Sequence, residues 1–355
     1  MKKFILIFLL VAACCMPSFS FTFYRASDPA FSYVGRYTMS ASGVASWTWP
    51  YFQFYTQFTG TSAVMKVKPS SGSFMVELDG EEPFRVESSK DSSMVVLARN
   101  LSAGTHKLHV AYCVEGYTHR PQFYGLLVDD GAKLSQATLP PHKMEFIGNS
   151  ITCALGNMWN GEKPYTQKLQ NIYYSYEAIA CRALNAQCQV VARSGLGMYR
   201  NTLGNPNGDK NVMPVYYPHV NFSLTGELWD FPRYQPDVVC VNLGTNDTTN
   251  PKYYVDKLAD AYKAFVSQLR EHYPHAKIVL LTGTMIKGKR LADVQTALNE
   301  VVEAQKQKGD NEVYRFDFTP ADGSLGYGYA KHPSKRQHEQ MAAELVPFIK
   351  KITNW

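Results

Sequence analysis

The sequence lacks most of the signals that tie a protein to a cofactor or a polymer partner. It has no Gly-rich dinucleotide loop, no Walker-type phosphate loop and no His-Glu-x-x-His pair. Its seven cysteines include no Cys-x-x-Cys and no zinc-type spacing. The expectation is therefore no cofactor and no metal. Basic residues exceed acidic ones, 36 to 30, but two of them are Lys2 and Lys3 and the rest form no block. That distribution gives no support for a nucleic-acid partner. Past residue 20 no apolar run is long enough to span a bilayer. There is no internal repeat and no low-complexity tract.

What remains is a foldable chain of 355 residues, 45% apolar and 19% charged, with room for one large domain or two medium ones. The aromatic share, 13%, is high. Such a surplus either lines a ligand groove or fills cores and strands.

The first residues read as an export signal. Met1-Lys2-Lys3 precedes an apolar run from Phe4 to Cys15 that is too short for a membrane span. Two processing routes are open: cleavage after Ser18-Phe19-Ser20, or lipid modification of Cys14 in the lipobox-like Val11-Ala12-Ala13-Cys14. The expectation is an exported chain (periplasmic, secreted or surface-anchored), with residues 1–20 as signal peptide. Asn246-Asp247-Thr248 is a glycosylation sequon, and a glycosylating pathway could damage that segment, so a bacterial source fits better. Five cysteines remain, an odd number; a Cys181–Cys188 bridge is one option after export.

Residues 21–139 read as an antiparallel β-sandwich. Short alternating segments such as Ser62–Val67, Phe74–Leu78, His106–Tyr112 and Phe123–Val128 are separated by turn residues, among them Asp79-Gly80. Leu139-Pro140-Pro141 breaks any continuing element. Residues 142–355 then alternate strand and helix, which predicts a parallel sheet with helices on both faces.

In such a sheet, ligands bind beyond the carboxyl ends of the strands. Three strand ends here carry polar loops: Gly148-Asn149-Ser150, Arg193-Ser194-Gly195-Leu196-Gly197 and Gly244-Thr245-Asn246-Asp247. Ser150 is a candidate nucleophile and His332, just before the closing helix, a candidate base. The N–H groups of Ser150 and Gly195 and the side-chain amide of Asn246 are candidate oxyanion donors. Thr152 occupies the last position of the Gly-x-Ser-x-Gly pattern, which counts against an α/β-hydrolase elbow. Trp229, before the Asn246 strand, is the preferred sugar-contacting aromatic; Trp159, Tyr199 and Tyr329 are further candidates, each equally readable as packing.

These blocks resemble the SGNH (GDSL-like) hydrolase superfamily, named for Ser, Gly, Asn and His in chain order. The resemblance implies Ser150 as nucleophile, Gly195 and Asn246 as oxyanion donors and His332 as general base. Asn149 departs from the family's usual Asp but keeps a side-chain acceptor. Tyr33-Val34-Gly35-Arg36, Phe58–Ser62 and Gly104-Thr105-His106 resemble the N-terminal jelly roll of family 2 carbohydrate esterases. That resemblance implies deacetylation of plant polysaccharides such as xylan and glucomannan, with a preference for 6-O-acetyl groups. Two alternatives stay open: an SGNH lipase or thioesterase, and a silent carbohydrate-binding protein. Where the family usually carries an Asp three residues before the His, this chain has Tyr329. The expected substitute is a backbone carbonyl in Gly326–Ala330; Asp317 or Asp322 is the alternative.

Overall fold

The structure is a computed structural model that describes residues 20–162 and 164–355. The signal-peptide and lipobox expectations fall at residues 1–20, almost wholly outside the described residues.

Two six-stranded antiparallel sheets build the first half. One runs Thr38–Met39, Ala45–Ser46, Gln122–Asp129, Ala63–Val67, Met94–Ala98, with Phe21–Arg25 also paired to Gln122–Asp129. The other runs Leu134–Ser135, Gln53–Gly60, Gly104–Tyr112, Ser73–Leu78, Phe84–Glu87, with Ser32–Val34 on Gln53–Gly60. Alternate residues of Ala63–Val67 are buried, as the period-two pattern requires. The core between the sheets is aromatic. Phe54 stacks on Phe123 with ring centroids 4.5 Å apart, and Trp47 on Phe52 at 4.1 Å. Much of the aromatic surplus is spent here rather than in a groove.

The second half holds five parallel strands in the order Ala186–Ala192, His142–Gly148, Val238–Asn242, Lys277–Thr282, Val313–Asp317. The three strands at the centre of the chemistry are buried or nearly so; Val238–Asn242 reads as a nearly continuous apolar run, while the other two also bury Glu145, Gln187 and Gln189. The amphipathic helices Val255–His272 and Gly288–Gln307 pack against each other on the sheet, and Tyr176–Ala183 packs against Lys335–Thr353. The strand order reverses between His142–Gly148 and Val238–Asn242. Crossovers diverge at that point and leave a crevice at the carboxyl edge.

The two halves share buried apolar surface. Trp47 and Phe52 of the sandwich belong to the same buried cluster as Met144 and Phe146 of the parallel sheet. Buried polar bonds cross the same boundary. Arg36 pairs with Glu145 at 3.0 Å, both side chains fully buried, and Gln53 Nε2 donates to the Cys188 carbonyl at 2.8 Å. Glu145 also accepts from Tyr217 at 2.6 Å and from Gln189 at 2.7 Å. A charge pair sealed from water needs such extra partners. Cys113, Cys153, Cys181, Cys188 and Cys240 are all buried free thiols, so Cys181 and Cys188 are not bridged. Among the described residues no helix is long and apolar enough to cross a membrane.

Candidate active site

The strand His142–Gly148 ends against its own return. A Cβ on Gly148 would lie 2.1 Å from Thr152 Oγ1, so only glycine fits. The next residue makes the turn: Asn149 Oδ1 accepts the Ile151 N–H at 3.1 Å, and its carbonyl accepts that of Cys153 at 2.9 Å. The asparagine that replaces the expected Asp therefore keeps the acceptor role. Its Nδ2 is buried with no partner among the described residues. Ser150, 8% exposed, stands at the crest of this turn.

His332 arrives from the opposite side of the crevice. Its Nε2 lies 2.8 Å from Ser150 Oγ. Its Nδ1 lies 2.8 Å from the Tyr329 carbonyl oxygen. A carbonyl can only accept, so Nδ1 carries the proton and Nε2 offers its lone pair to the serine hydroxyl. The loop is held tightly. Gly328 N–H donates to the His332 carbonyl at 2.8 Å, and Tyr329 N–H donates to Gly156 O at 3.1 Å. Ala330 and Lys331 both have positive φ, 52° and 61°. Non-glycine residues in that region carry strain, which here sits beside the Ser150–His332 contact. Ser334 then caps the closing helix by accepting the Gln337 N–H. Burial holds the His332 imidazole below its ordinary pKa of 6.5, and the Tyr329 contact opposes that shift only in part.

Neither alternative acid bonds to His332. Asp317 accepts from Gln295 at 3.0 Å and Arg315 at 2.8 Å, and Asp322 accepts from Ser324 at 2.8 Å and 2.6 Å.

The loop after Ala186–Ala192 has one open donor. Between Arg193 and Thr202 every backbone N–H has a protein acceptor except that of Gly195, counted among the described residues. Gly195 has φ +88°, a conformation that glycine adopts freely. The Ser150 N–H also has no acceptor among them. Asn246 donates one amide hydrogen to Leu196 O at 2.7 Å and keeps the other. Its neighbour Asp247 is fully buried and accepts from Met198, Tyr199, Arg200 and Gly244, at 2.9, 2.8, 3.0 and 3.0 Å. Asp247 thus joins the second and third strand-end loops. Asn246 and Gly195 are held in one frame.

The aromatic candidates divide. Trp229 is a correction: it is 4% exposed and lies in the core under the guanidinium groups of Arg36 and Arg233, at 5.4 and 5.1 Å. Three aromatic faces around Arg36 disperse its buried charge, which draws Trp229 inward. Tyr199 is also buried, its hydroxyl accepting from the Tyr254 N–H at 3.0 Å. Tyr329 is different. It is 38% exposed beside His332, stacked on Tyr165 at 4.3 Å and edge-on to Trp159 at 6.0 Å. Tyr165 carried no sequence signal. Glu115, of the sandwich, was also unforeseen and contacts Ser194. No group of three or more metal-ligating side chains is gathered among the described residues.

A recessed Ser–His pair at the switch point of a parallel sheet, in a half of the chain whose strand-end loops leave N–H donors open, is the arrangement of the GDSL-like acylhydrolases. The sequence model of the GDSL-like Lipase/Acylhydrolase family matches residues 146–340, and that of the carbohydrate esterase 2 N-terminal domain matches residues 33–137. The chain belongs to the family 2 carbohydrate esterases. The solved structure of a family two carbohydrate esterase from Clostridium thermocellum in complex with cellohexaose is 35% identical, with a TM-score of 0.84 over 92% of this chain and 99% of that one. A family two carbohydrate esterase from Cellvibrio japonicus is 25% identical, with a TM-score of 0.86 over 95% and 99%. The Cellulase/esterase CelE of Acetivibrio thermocellus is 35% identical over 332 residues. That match takes in 92% of this chain, which spans 40% of CelE's length. An Acetylxylan esterase / glucomannan deacetylase of Cellvibrio japonicus is 25% identical over 93% of this chain and 91% of its own.

Proposed function

We propose that this chain is a serine esterase that removes acetyl groups from plant cell-wall polysaccharide. The observation that carries the reading is the line Tyr329 O, His332 Nδ1, His332 Nε2, Ser150 Oγ, two contacts of 2.8 Å each. His332 takes the Ser150 proton as Oγ bonds to the acetyl carbonyl carbon. The oxygen becomes an anion facing the N–H groups of Gly195 and Ser150 and the free amide hydrogen of Asn246. The C–O bond to the sugar breaks, and His332 Nε2–H protonates the departing sugar oxygen to a hydroxyl. Water, deprotonated by His332, then attacks the acetyl-serine; the bond from the acyl carbon to Ser150 Oγ breaks, His332 returns the proton to Oγ, and acetate leaves.

The family relatives named for acetylxylan and glucomannan deacetylation support the substrate class. We extend the proposal to a preference for 6-O-acetyl groups, which the recessed nucleophile supports. Ser150 is recessed, and an acetyl carried on an exocyclic methylene reaches further from the ring than one on a ring carbon. We further propose that residues 21–139 and 142–355 are its two domains, and that residues 1–20 export it, with lipidation of Cys14 as the variant form.

The test is acetate release from acetylated glucomannan and acetylated xylan, with a long-chain ester as comparison. Ser150→Ala should abolish release. Turnover of the long-chain ester alone would favour a lipase, and glycan binding without hydrolysis a silent binder. Mass spectrometry of the mature N-terminus checks export: a retained Met1 would refute it.

A further inference from the structure

The sandwich reaches into the oxyanion loop through one side chain. Glu115 follows the strand Gly104–Tyr112 and is 4% exposed. Its Oε2 accepts the Ser194 N–H at 2.9 Å, and its Oε1 accepts the Ser194 hydroxyl. Its own approach is fixed on both sides. A Cβ on Gly116 would lie 2.9 Å from the Thr48 carbonyl oxygen, so the backbone there packs directly on the sandwich. On the other side, Gln167 Nε2 donates to the Glu115 carbonyl at 3.3 Å. Tyr117, two residues on, lies under the Arg193 guanidinium at 4.5 Å, so the sandwich grips residues 193 and 194 together.

The effect falls on the next peptide. The Ser194–Gly195 peptide carries the one open N–H of the loop. Its two degrees of freedom are ψ of Ser194 and φ of Gly195, and glycine tolerates either sign of φ. Unrestrained, this peptide could turn over and present its carbonyl oxygen where its N–H now points. An oxygen there would repel the anion formed on Ser150 attack. Two anchors oppose the turn: Glu115 on Ser194, and the Thr202 N–H, which donates to the Gly195 carbonyl at 2.9 Å.

We infer that Glu115 is a positioning residue for hydrolysis, holding the Gly195 N–H toward the reacting carbonyl through its two bonds to Ser194; this rests on the esterase reading above. It touches no substrate. Its signature is a loss confined to the tetrahedral state.

The experiment compares full-length wild type, Glu115→Ala, Glu115→Gln, Ser194→Ala and Ser150→Ala on 4-nitrophenyl acetate, with phenylboronic acid as a tetrahedral mimic. Removing an oxyanion donor outright lowers kcat by about 10²–10³. A donor set loose should lose less: about 10- to 100-fold for Glu115→Ala, with KM within about threefold and the boronate inhibition constant rising in step with the fall in kcat. Glu115→Gln keeps an acceptor for the Ser194 N–H and should recover most of the loss. Ser194→Ala loses only the hydroxyl contact and should fall by about three- to tenfold, again with the boronate constant rising in step. A folded Glu115→Ala with wild-type kcat and boronate affinity overturns the role. If that variant does not fold, wild-type values for Ser194→Ala overturn it instead. Should Ser150→Ala still hydrolyse the ester, the esterase reading itself fails; with Ser150→Ala inert, a negative result at Glu115 strikes this inference alone.

Discussion

His332 and Tyr329 are joined twice: the Tyr329 carbonyl oxygen accepts the backbone N–H of His332 at 3.0 Å and its Nδ1–H at 2.8 Å. One oxygen fixes both the loop and the ring. A carbonyl orients an imidazole as a carboxylate does, but it has no full charge with which to steady the imidazolium. Neutralising a triad aspartate elsewhere lowers kcat about 10⁴-fold. Here Asp317→Asn and Asp322→Asn should each lower kcat by less than about tenfold, whereas His332→Ala should be inactive. Steady-state kinetics, with circular dichroism for folding, decide it; a thousandfold loss in either folded aspartate variant would mean that a carboxylate does serve His332.

The pH profile follows from the same ring. With His332 as the proposed base, hydrolysis needs the neutral imidazole, so kcat/KM should rise with pH through the free-enzyme pKa. Burial holds that pKa below 6.5. The acid limb should therefore inflect below 6.5, and an inflection at or above it would contradict the burial argument.

His338 gives a stability test separable from activity. It is fully buried, accepts the Tyr176 N–H on Nδ1 at 3.1 Å, and desolvation pushes its pKa down to about 3. Between pH 6.5 and that value the unfolded chain binds the extra proton, so stability falls as pH falls. The loss from this group is about 3 kcal/mol by pH 4. His338→Asn, which keeps an acceptor for Tyr176, should flatten denaturant midpoints across that range; an unchanged slope would rule His338 out as its source.

Asp247→Asn swaps an acceptor-only carboxylate for a group whose NH₂ faces backbone donors. Four N–H groups converge there, so a loss of about 2–4 kcal/mol in unfolding free energy is expected. Activity should drop further than stability, because Asn246 and the Gly195 loop lose their common frame. Equal rates for the folded variant and wild type would show that the frame is not set by this residue.

Arg36→Met leaves Glu145 charged and buried, and should destabilise the chain by about 3–5 kcal/mol. Arg36→Met with Glu145→Gln should lose less than the two single changes added together. Strict additivity in chemical denaturation would mean that the pair is not coupled.

The parallel sheet was legible because apolar stretches such as Phe146-Ile147, Val190-Val191-Ala192 and Val238–Val241 run straight into polar strand ends. Ser150, Gly195 and Asn246 each follow such a run. The central sandwich strand Gln53–Gly60 was harder to read: it buries Gln53 and Thr56 with Phe54 and Phe58, so polar residues fall on both faces. Glu115 was invisible for another reason. Its partner lies 79 positions away, and nothing local to Cys113-Val114-Glu115-Gly116 announces it. Trp229 misled because a loop tryptophan looks accessible, and its burial depends on an arginine from the other half of the chain.

The grip of Glu115 on Ser194 has an evolutionary reading. A hydrolase half copied alone would carry Ser150 and His332 but leave behind the carboxylate that steadies its oxyanion loop. Recombination would then favour the sandwich and the hydrolase travelling as one cassette. The match to CelE has that form: it takes in 92% of this chain, and so both halves, inside a polypeptide of which it is 40%.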